Sequence, residues 1–257
     1  MATFRDRVIA ALVSQAHRPR GVVGWLEGAL FAYRPSNRRR NRWAVSLLDV
    51  RPADRVLEIG FGPGVAIAEF ARRAGRVFGV DHSATMARQA ARRNAAAVRA
   101  GRVRLVVASV ERLPDFGGPL DVVLAVNSVG FWPDPVDRLR ELRGLLRPGG
   151  RIALVSQPRC PGATRETTAR AAQELQGLLA EAGFVGFRVE TLELRPPVAC
   201  VLAAAPGGEE APGGEGQVGA HQAGRGGEVE AERPAEVVEA AGDAAVVKVE
   251  EVGGATE

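Results

Sequence analysis

Apolar positions between residues 51 and 158 fall into short β-branched runs separated by stretches with helical spacing. RVLEIG (55–60), RVFGVDH (76–82), RVRLVVASV (102–110), DVVLAVNS (121–128) and RIALVSQ (151–157) are compact apolar runs of strand length. Between them, 64–74, 84–100 and 134–146 read as helices. The last places Val136, Leu139, Leu142 and Leu146 on one face and stops at Pro148-Gly149-Gly150. Near-continuous apolar strands alternating with helical crossovers predict a parallel sheet covered on both faces. A helix over 164–182 then precedes FRVETLEL (187–194) and VACVLAAA (198–205), which are joined by Arg195-Pro196-Pro197. So short a turn connects only antiparallel neighbours. The predicted class is α/β: a doubly wound sheet, mostly parallel, with a C-terminal antiparallel hairpin.

The flanks follow different patterns. Phe4, Val8, Ile9, Leu12 and Val13 fall at helical spacing, so residues 1–50 read as a helical extension. HRPRG (17–21) breaks it, and RPSNRRRNR (34–42) is a basic loop or helix start. Residues 206–257 contain 12 Gly and no aromatic residue and are expected to form a disordered, acidic Gly/Glu/Ala/Val-rich tail. Its deletion is expected to leave the fold and ligand binding intact. The division is thus 1–50, 51–205 and 206–257.

Composition narrows the function classes. The chain has 257 residues, 46% hydrophobic and 25% charged, within the range of a globular protein. No apolar run reaches about 18 residues, and the charged N-terminus does not read as a secretory signal. The net charge of +4 hides an asymmetry: residues 206–257 hold 3 basic and 12 acidic side chains, against 31 and 18 in residues 1–205. Of the basic residues only Lys248 is lysine, a skew typical of GC-rich coding sequence. Basicity therefore argues only weakly for nucleic acid. Cys160 and Cys200 are too few for a disulfide framework, which suits a cytoplasmic location, and His17, His82 and His221 lack ligand spacing to them. No metal is expected.

The strongest chemical signal is Val56-Leu57-Glu58-Ile59-Gly60-Phe61-Gly62-Pro63-Gly64: a strand, three alternating glycines, then a helix. Glycines allow a sharp turn and close approach by a ligand, and the helix N-terminus offers unpaired amides. Asp81, 21 residues after Gly60, ends the second strand, where a carboxylate can accept both hydroxyls of a ribose. A nicotinamide dinucleotide site usually has G-x-G-x-x-G; here the spacing is G-x-G-x-G and Glu58 stands just before it. A carboxylate repels a pyrophosphate and favours an ammonium or sulfonium. The charge logic prefers S-adenosylmethionine.

With these motifs in order, the chain resembles the class I S-adenosylmethionine-dependent methyltransferases, and among them the small-molecule, quinone-biosynthesis-like (type 11) group. The resemblance covers about residues 45–205: VLEIGFGPG, VDHSATM, VVASVERLP, DVVLAVNSVGFWPDP and LRPGGRIALVSQP fall at the family's successive motif positions. It implies a Rossmann-like sheet, S-adenosyl-L-methionine as cofactor and methyl transfer by in-line displacement. Glu58, Gly60, Phe61, Gly62 and Gly64 would hold the methionine end, and Asp81 the ribose. His82 and Met86 would border the adenine, with Ser109 and Val110 at its edge. Ser109 departs from the family, which usually places Asp there; a neutral hydroxyl accepts more weakly. A small-molecule acceptor, apolar or anionic, is expected. Alternatives are RNA, a lipid, or a non-catalytic cofactor-binding protein. The loop NSVGFW lacks the Pro-Pro-aromatic motif of base-modifying enzymes, which disfavours nucleic acid.

The catalytic group is open at this level. Asn127 is expected to face the reaction site or to cap its loop, and His82 is the nearest base candidate but fits beside the adenine. The first 50 residues hold 9 Arg against 3 acids and include Phe4, Trp25, Phe31, Tyr33 and Trp43. They read as a lid over the cofactor, as cover for the sheet edge, or as a basic helix making peripheral membrane contact. Oligomeric state has no sequence signal.

Overall fold

The computed structural model describes residues 34–158, 160, 162–207, 236–241 and 244–249. Most of the expected N-terminal extension, residues 1–33, and most of the tail lie outside them. The strands are β1 (Arg55–Ile59), β2 (Arg76–Asp81), β3 (Val103–Val107), β4 (Leu120–Val126), β5 (Leu146–Ser156), β6 (Val185–Leu192), β7 (Val198–Ala204), β8 (Glu236–Ala241) and β9 (Ala244–Val249). Helices are α1 (Pro35–Ser46), α2 (Val65–Phe70), α3 (Ala84–Arg93), α4 (Ala95–Arg99), α5 (Pro135–Leu145) and α6 (Arg165–Glu181). In the sheet the strands run β6-β7-β5-β4-β1-β2-β3-β8-β9. From β3 to β5 every pair is parallel, and β7 then joins β5, and β6 joins β7, antiparallel. The doubly wound sheet with an antiparallel C-terminal hairpin is the fold expected from the sequence pattern.

Alternation along the strands feeds two apolar layers. Leu57, Ile59, Val123, Ile152 and Leu154 pack with Leu139 and Leu142 of α5 and Leu175 and Leu179 of α6. Val56, Val122, Leu124 and Val155 face the other way, against Ala44 and Val45 of α1, Ile67 and Phe70 of α2 and Ala87 and Ala90 of α3. Covering both faces is what allows the strands to be apolar throughout. The Cys200 thiol sits in the second layer, where burial pushes its pKa up to about 12.

Three expectations need correction. The single helix over 84–100 divides at Asn94, whose side-chain amide donates to Ala90 O at 2.8 Å and Gly64 O at 3.2 Å. Side-chain bonding of this kind competes with continuation of the helix. The fifth strand starts at Leu146 rather than 151: the stretch read as a helix stop is already extended, Leu146 pairing with Leu120 before an irregularity restores the register.

The third correction concerns the tail. Glu236–Ala241 pairs antiparallel with β3, and Ala244–Val249 pairs with it in turn. Val237-Val238 and Val246-Val247 flank Gly242-Asp243, a two-residue hairpin signal masked by the surrounding glycines. Ending the chain at residue 205 would therefore leave the outer backbone groups of β3 unpaired, an edge prone to self-association. The expected result is a lower melting temperature and a concentration-dependent oligomer in size-exclusion chromatography. A truncated monomer with unchanged melting temperature would show that β8 contributes nothing to the fold.

Candidate active site

The chain order reverses between β1 and β4, and a ligand crevice opens at such a point beyond the carboxyl ends of parallel strands. A cleft of about 880 Å³ lies there, walled by the ends of β1, β2, β4 and β5, the loop after β3, and α1. Each turn into it is set by local backbone geometry. Gly60 (φ +74°), Gly62 (+52°) and Gly64 (+72°) are all left-handed, which only glycine adopts readily. Gly60 N–H donates to Val80 O at 2.7 Å, tying the turn to β2. Ser128 closes it from the other side by donating to Ile59 O at 3.0 Å.

Glu58 lies on the α2 face of β1 and is 2% exposed. Ile67 N–H, in the first turn of α2, bonds its carboxyl, while Oε2 is buried without a hydrogen-bond partner. Burial, and then the Asp81 charge, raise its pKa well above the usual carboxylate value. A carboxyl whose pKa is higher folded than unfolded binds more protons in the folded state. Its contribution to stability is full below the unfolded pKa and is lost as pH rises through the folded pKa. Glu58→Gln should therefore melt higher than the wild type at pH 8 and nearly the same at pH 4, in thermal scans without ligand. An identical pH slope in both proteins would exclude Glu58 as its source.

Asp81 closes β2 and is buried. Its Oδ2 accepts Gly62 N–H at 2.8 Å and its Oδ1 accepts Ser83 N–H at 2.9 Å, so one carboxylate fixes both the glycine turn and the start of α3. Burial raises its pKa, opposed by His82 and by the two amides. His82 is exposed, its Nδ1 3.8 Å from Asp81 Oδ1. Met86 is buried in the first turn of α3 and also lines the cleft. Ser109 donates to Glu111 Oε2 at 3.0 Å and accepts Glu111 N–H at 3.2 Å. Glu111, which the motif comparison missed, thus brings a carboxylate beside Ser109 and Val110 at the cleft wall.

Asn127 has a left-handed backbone (φ +53°), unusual for a residue other than glycine. Its N–H donates to Val155 O at 2.8 Å and its Oδ1 accepts Gln157 N–H at 2.7 Å. That bond fixes the amide's orientation and leaves Nδ2 buried, at the cleft, without a partner. The loop-capping role and a cleft-facing donor coexist in one side chain. His82 does not join it: β2 and β4 stand on opposite sides of β1, about 10 Å apart by strand spacing.

The sequence offered the N-terminal extension as a lid but did not single out the residues with which it walls the cleft. RPSNRRRNR (34–42) is mostly the helix α1, with Pro35 in its first turn. Asn37, Arg40 and Asn41, at i, i+3 and i+4, are all buried and line the cleft, while Ala44 and Val45 carry the same helix into the core. Arg40 Nη1 donates to Gln157 Oε1 at 2.6 Å, and its Nη2 to Asn37 Oδ1. The polar spacing was visible; the abundance of arginine concealed it.

Comparison with known proteins agrees with this architecture. Residues 56–150 match the family described as "Methyltransferase domain". The uncharacterized methyltransferase YdaC of Bacillus subtilis is 31% identical over 173 residues, 66% of this chain and 93% of that protein. A ubiquinone/menaquinone biosynthesis C-methyltransferase, UbiE, of Geotalea daltonii is 29% identical over 48% of this chain, which spans 54% of that protein. Among solved structures, the N-methyltransferase NodS of Bradyrhizobium japonicum, in complex with S-adenosyl-L-homocysteine, superposes with a TM-score of 0.53 at 17% identity. The match covers 67% of this chain and 88% of NodS. The chain belongs to the class I S-adenosylmethionine-dependent methyltransferase family.

Proposed function

We propose that this methyltransferase acts on a small, largely apolar acceptor that arrives already nucleophilic. The observation that carries this reading is the division of the cleft. Among the described residues its ionisable side chains are Arg40, Glu58, Asp81, His82 and Glu111, all on β1, β2, α1 or the loops after β2 and β3. Beyond Asn127 the wall is Val129, Phe131, Trp132 and Leu175, joined by Val110, and the polar groups there are neutral: Asn127, Ser128, Ser156 and Gln157.

The residues present fit the cofactor. The unpartnered Glu58 oxygen, in a pocket it shares with Asp81, suits an ammonium. Each Asp81 oxygen keeps a lone pair for a ribose hydroxyl after accepting its amide. A Cβ at Gly62 would meet no protein atom, so the backbone there is open to a ligand. Bound S-adenosylmethionine supplies a methyl on a sulfonium already activated for attack. The chain then has to align the acceptor and exclude water. Trp132 and Leu175 form an apolar wall, the exposed Phe131 flanks the mouth, and Asn127 Nδ2 is a donor placed to orient a polar atom of the acceptor. His82 belongs with the ribose acid. With no base at the acceptor end among the described residues, an enolate, phenolate, thiolate or carboxylate suits the site better than a neutral alcohol.

A volume near 880 Å³ lies towards the upper end of small-molecule sites, which reach about 1,000 Å³. It has room for cofactor and a small acceptor together. UbiE and NodS are named for C- and N-methylation, and UbiE for quinone biosynthesis. The UbiE name accords with a small acceptor here. The test offers methyl-labelled cofactor with phenols, quinols, thiols and carboxylic acids, beside transfer RNA and phospholipid vesicles. Label should enter a small molecule. Label found only in RNA or phospholipid would exclude this reading.

A further inference from the structure

We propose that β6, the outermost strand on the C-terminal side of the sheet, pairs antiparallel with β6 of a second copy of this chain, on a two-fold axis through Val189. The sheet then runs unbroken from one subunit into the other.

The strand is built for such a neighbour. Among the described residues β6 is bonded to β7 alone, so the backbone N–H and C=O groups along its outer side have no strand to pair with. Val185, Phe187 and Val189 are three of the four large apolar side chains exposed among the described residues, and all three lie on β6. Val189 pairs with Val201 of the first apolar layer, so it and Phe187 point to the face that carries α6. Arg188 and Glu190 point to the other face, opposite Leu202 and Cys200 of the second layer. Beside Val189 a groove of about 300 Å³ runs between β6 and α6, lined by Ala169, Ala172, Gln173, Gln176 and Thr191. The charged residue in its wall, Arg165, is held by Glu193 at 2.7 and 2.6 Å. That volume is at the lower limit of small-molecule sites and suits a side chain.

Charge order selects a second copy as the occupant. A two-fold axis between antiparallel strands keeps the two faces aligned, and successive residues face opposite ways. The axis therefore passes through a residue and not between two. Through Val189 it sets Arg188 opposite Glu190 of the partner subunit, and Glu190 opposite the partner subunit's Arg188. Opposite charges directly across favour pairing and like charges oppose it. An axis through Arg188 or Glu190 would bring like charges together, and one through Phe187 or Thr191 would leave both without a counterpart. Arg188 Nη1 and Glu190 Oε1 already lie 3.6 Å apart within the chain, so the four charges alternate in sign across the axis. On the α6 face Val189 meets the partner's Val189, and Phe187 comes opposite the partner's Thr191, at the edge of its groove. The irregularity between Val185 and Arg188 limits the paired stretch to about 187–191 and keeps the dimer concentration-dependent. Because the paired strands run in opposite directions, the two clefts open at opposite ends of the joined sheet.

Sedimentation velocity on the full chain should show a monomer–dimer equilibrium. Val189→Lys, Arg188→Glu and Glu190→Arg should each weaken dimerisation by about 10-fold or more. Arg188→Glu combined with Glu190→Arg restores opposite charges across the axis and should recover most of it. Unchanged circular dichroism reports that the variants fold. In a Cys160→Ser background, Val189→Cys should form a covalent dimer on mild oxidation, since residues on the axis stand within disulfide reach, while Val185→Cys should not. Ending the chain at residue 205 frees the opposite edge and should add species larger than this dimer. A full chain that stays monomeric at every concentration overturns the proposal, and slow hydrogen exchange along β6 in that monomer would assign the strand's cover to residues 1–33. A dimer that none of the substitutions weakens lies on another surface, and overturns it as well.

Discussion

Asp81→Ala should lower affinity for S-adenosylmethionine by about 100-fold, the largest loss expected from any single side chain in the cleft. Two effects combine. In the proposed site the ribose would lose its charged acceptor, and two backbone amides, those of Gly62 and Ser83, lose theirs. An amide left unsatisfied in a buried place costs about 1–3 kcal/mol, so the glycine turn should loosen before any ligand arrives. Asp81→Asn separates the contributions, because a side-chain oxygen can still accept one amide while the charge is gone. It should retain most of the stability and lose most of the affinity. Calorimetry and thermal melts on the two variants distinguish the effects; unchanged affinity in Asp81→Ala would remove Asp81 from the site.

The second large effect divides the glycines of one motif. In Gly64→Ala the new Cβ would lie 2.7 Å from Ala90 Cβ and 2.9 Å from Ala90 Cα, with φ at +72°. Neither the α3 backbone nor the left-handed turn can yield cheaply. A left-handed non-glycine residue costs about 1–2 kcal/mol and overpacking about 1–3 kcal/mol, so a loss near 3 kcal/mol is expected. For a domain of this size the melting temperature should fall by about 10 °C. Gly62→Ala presents the opposite case. Its Cβ meets nothing within 4 Å, so only the backbone term remains and the fold should survive. The methyl would stand where the ligand is expected, and the measurable damage should be to binding. Two glycines that change stability and affinity in the same proportion would contradict this division.

Much of this was legible because the signals are local. The strands from β1 to β5 are β-branched runs, and the glycine turn and Asp81 stand at a spacing that brings them together at the cleft. What escaped depends on partners distant in the chain. Arg40 is one of 33 arginines, set apart by its burial and by its bond to Gln157, 117 residues away. Glu111 is the exception, placed by Ser109 only two residues before it. β8 is made by pairing with β3, and β5 starts early because Leu120 offers Leu146 a partner. The split of the helix at Asn94 depends in the same way on the Gly64 carbonyl.

Gln157 has a consequence for how the cleft opens. Its N–H is held by Asn127, its Oε1 by Arg40, and its Nε2 by Pro196 O at 2.8 Å, so it joins the end of β5 to α1, to the end of β4 and to the turn between β6 and β7. Lifting α1 strips one of these bonds and frees the side chain that makes another. The roof, the floor and the distant turn therefore share part of one opening free energy, which amide hydrogen exchange reads directly. A ligand that fills the cleft should slow deuterium uptake at the Gln157 amide. Exchange at that amide that is unchanged by ligand would show that α1 and the two strand ends open independently.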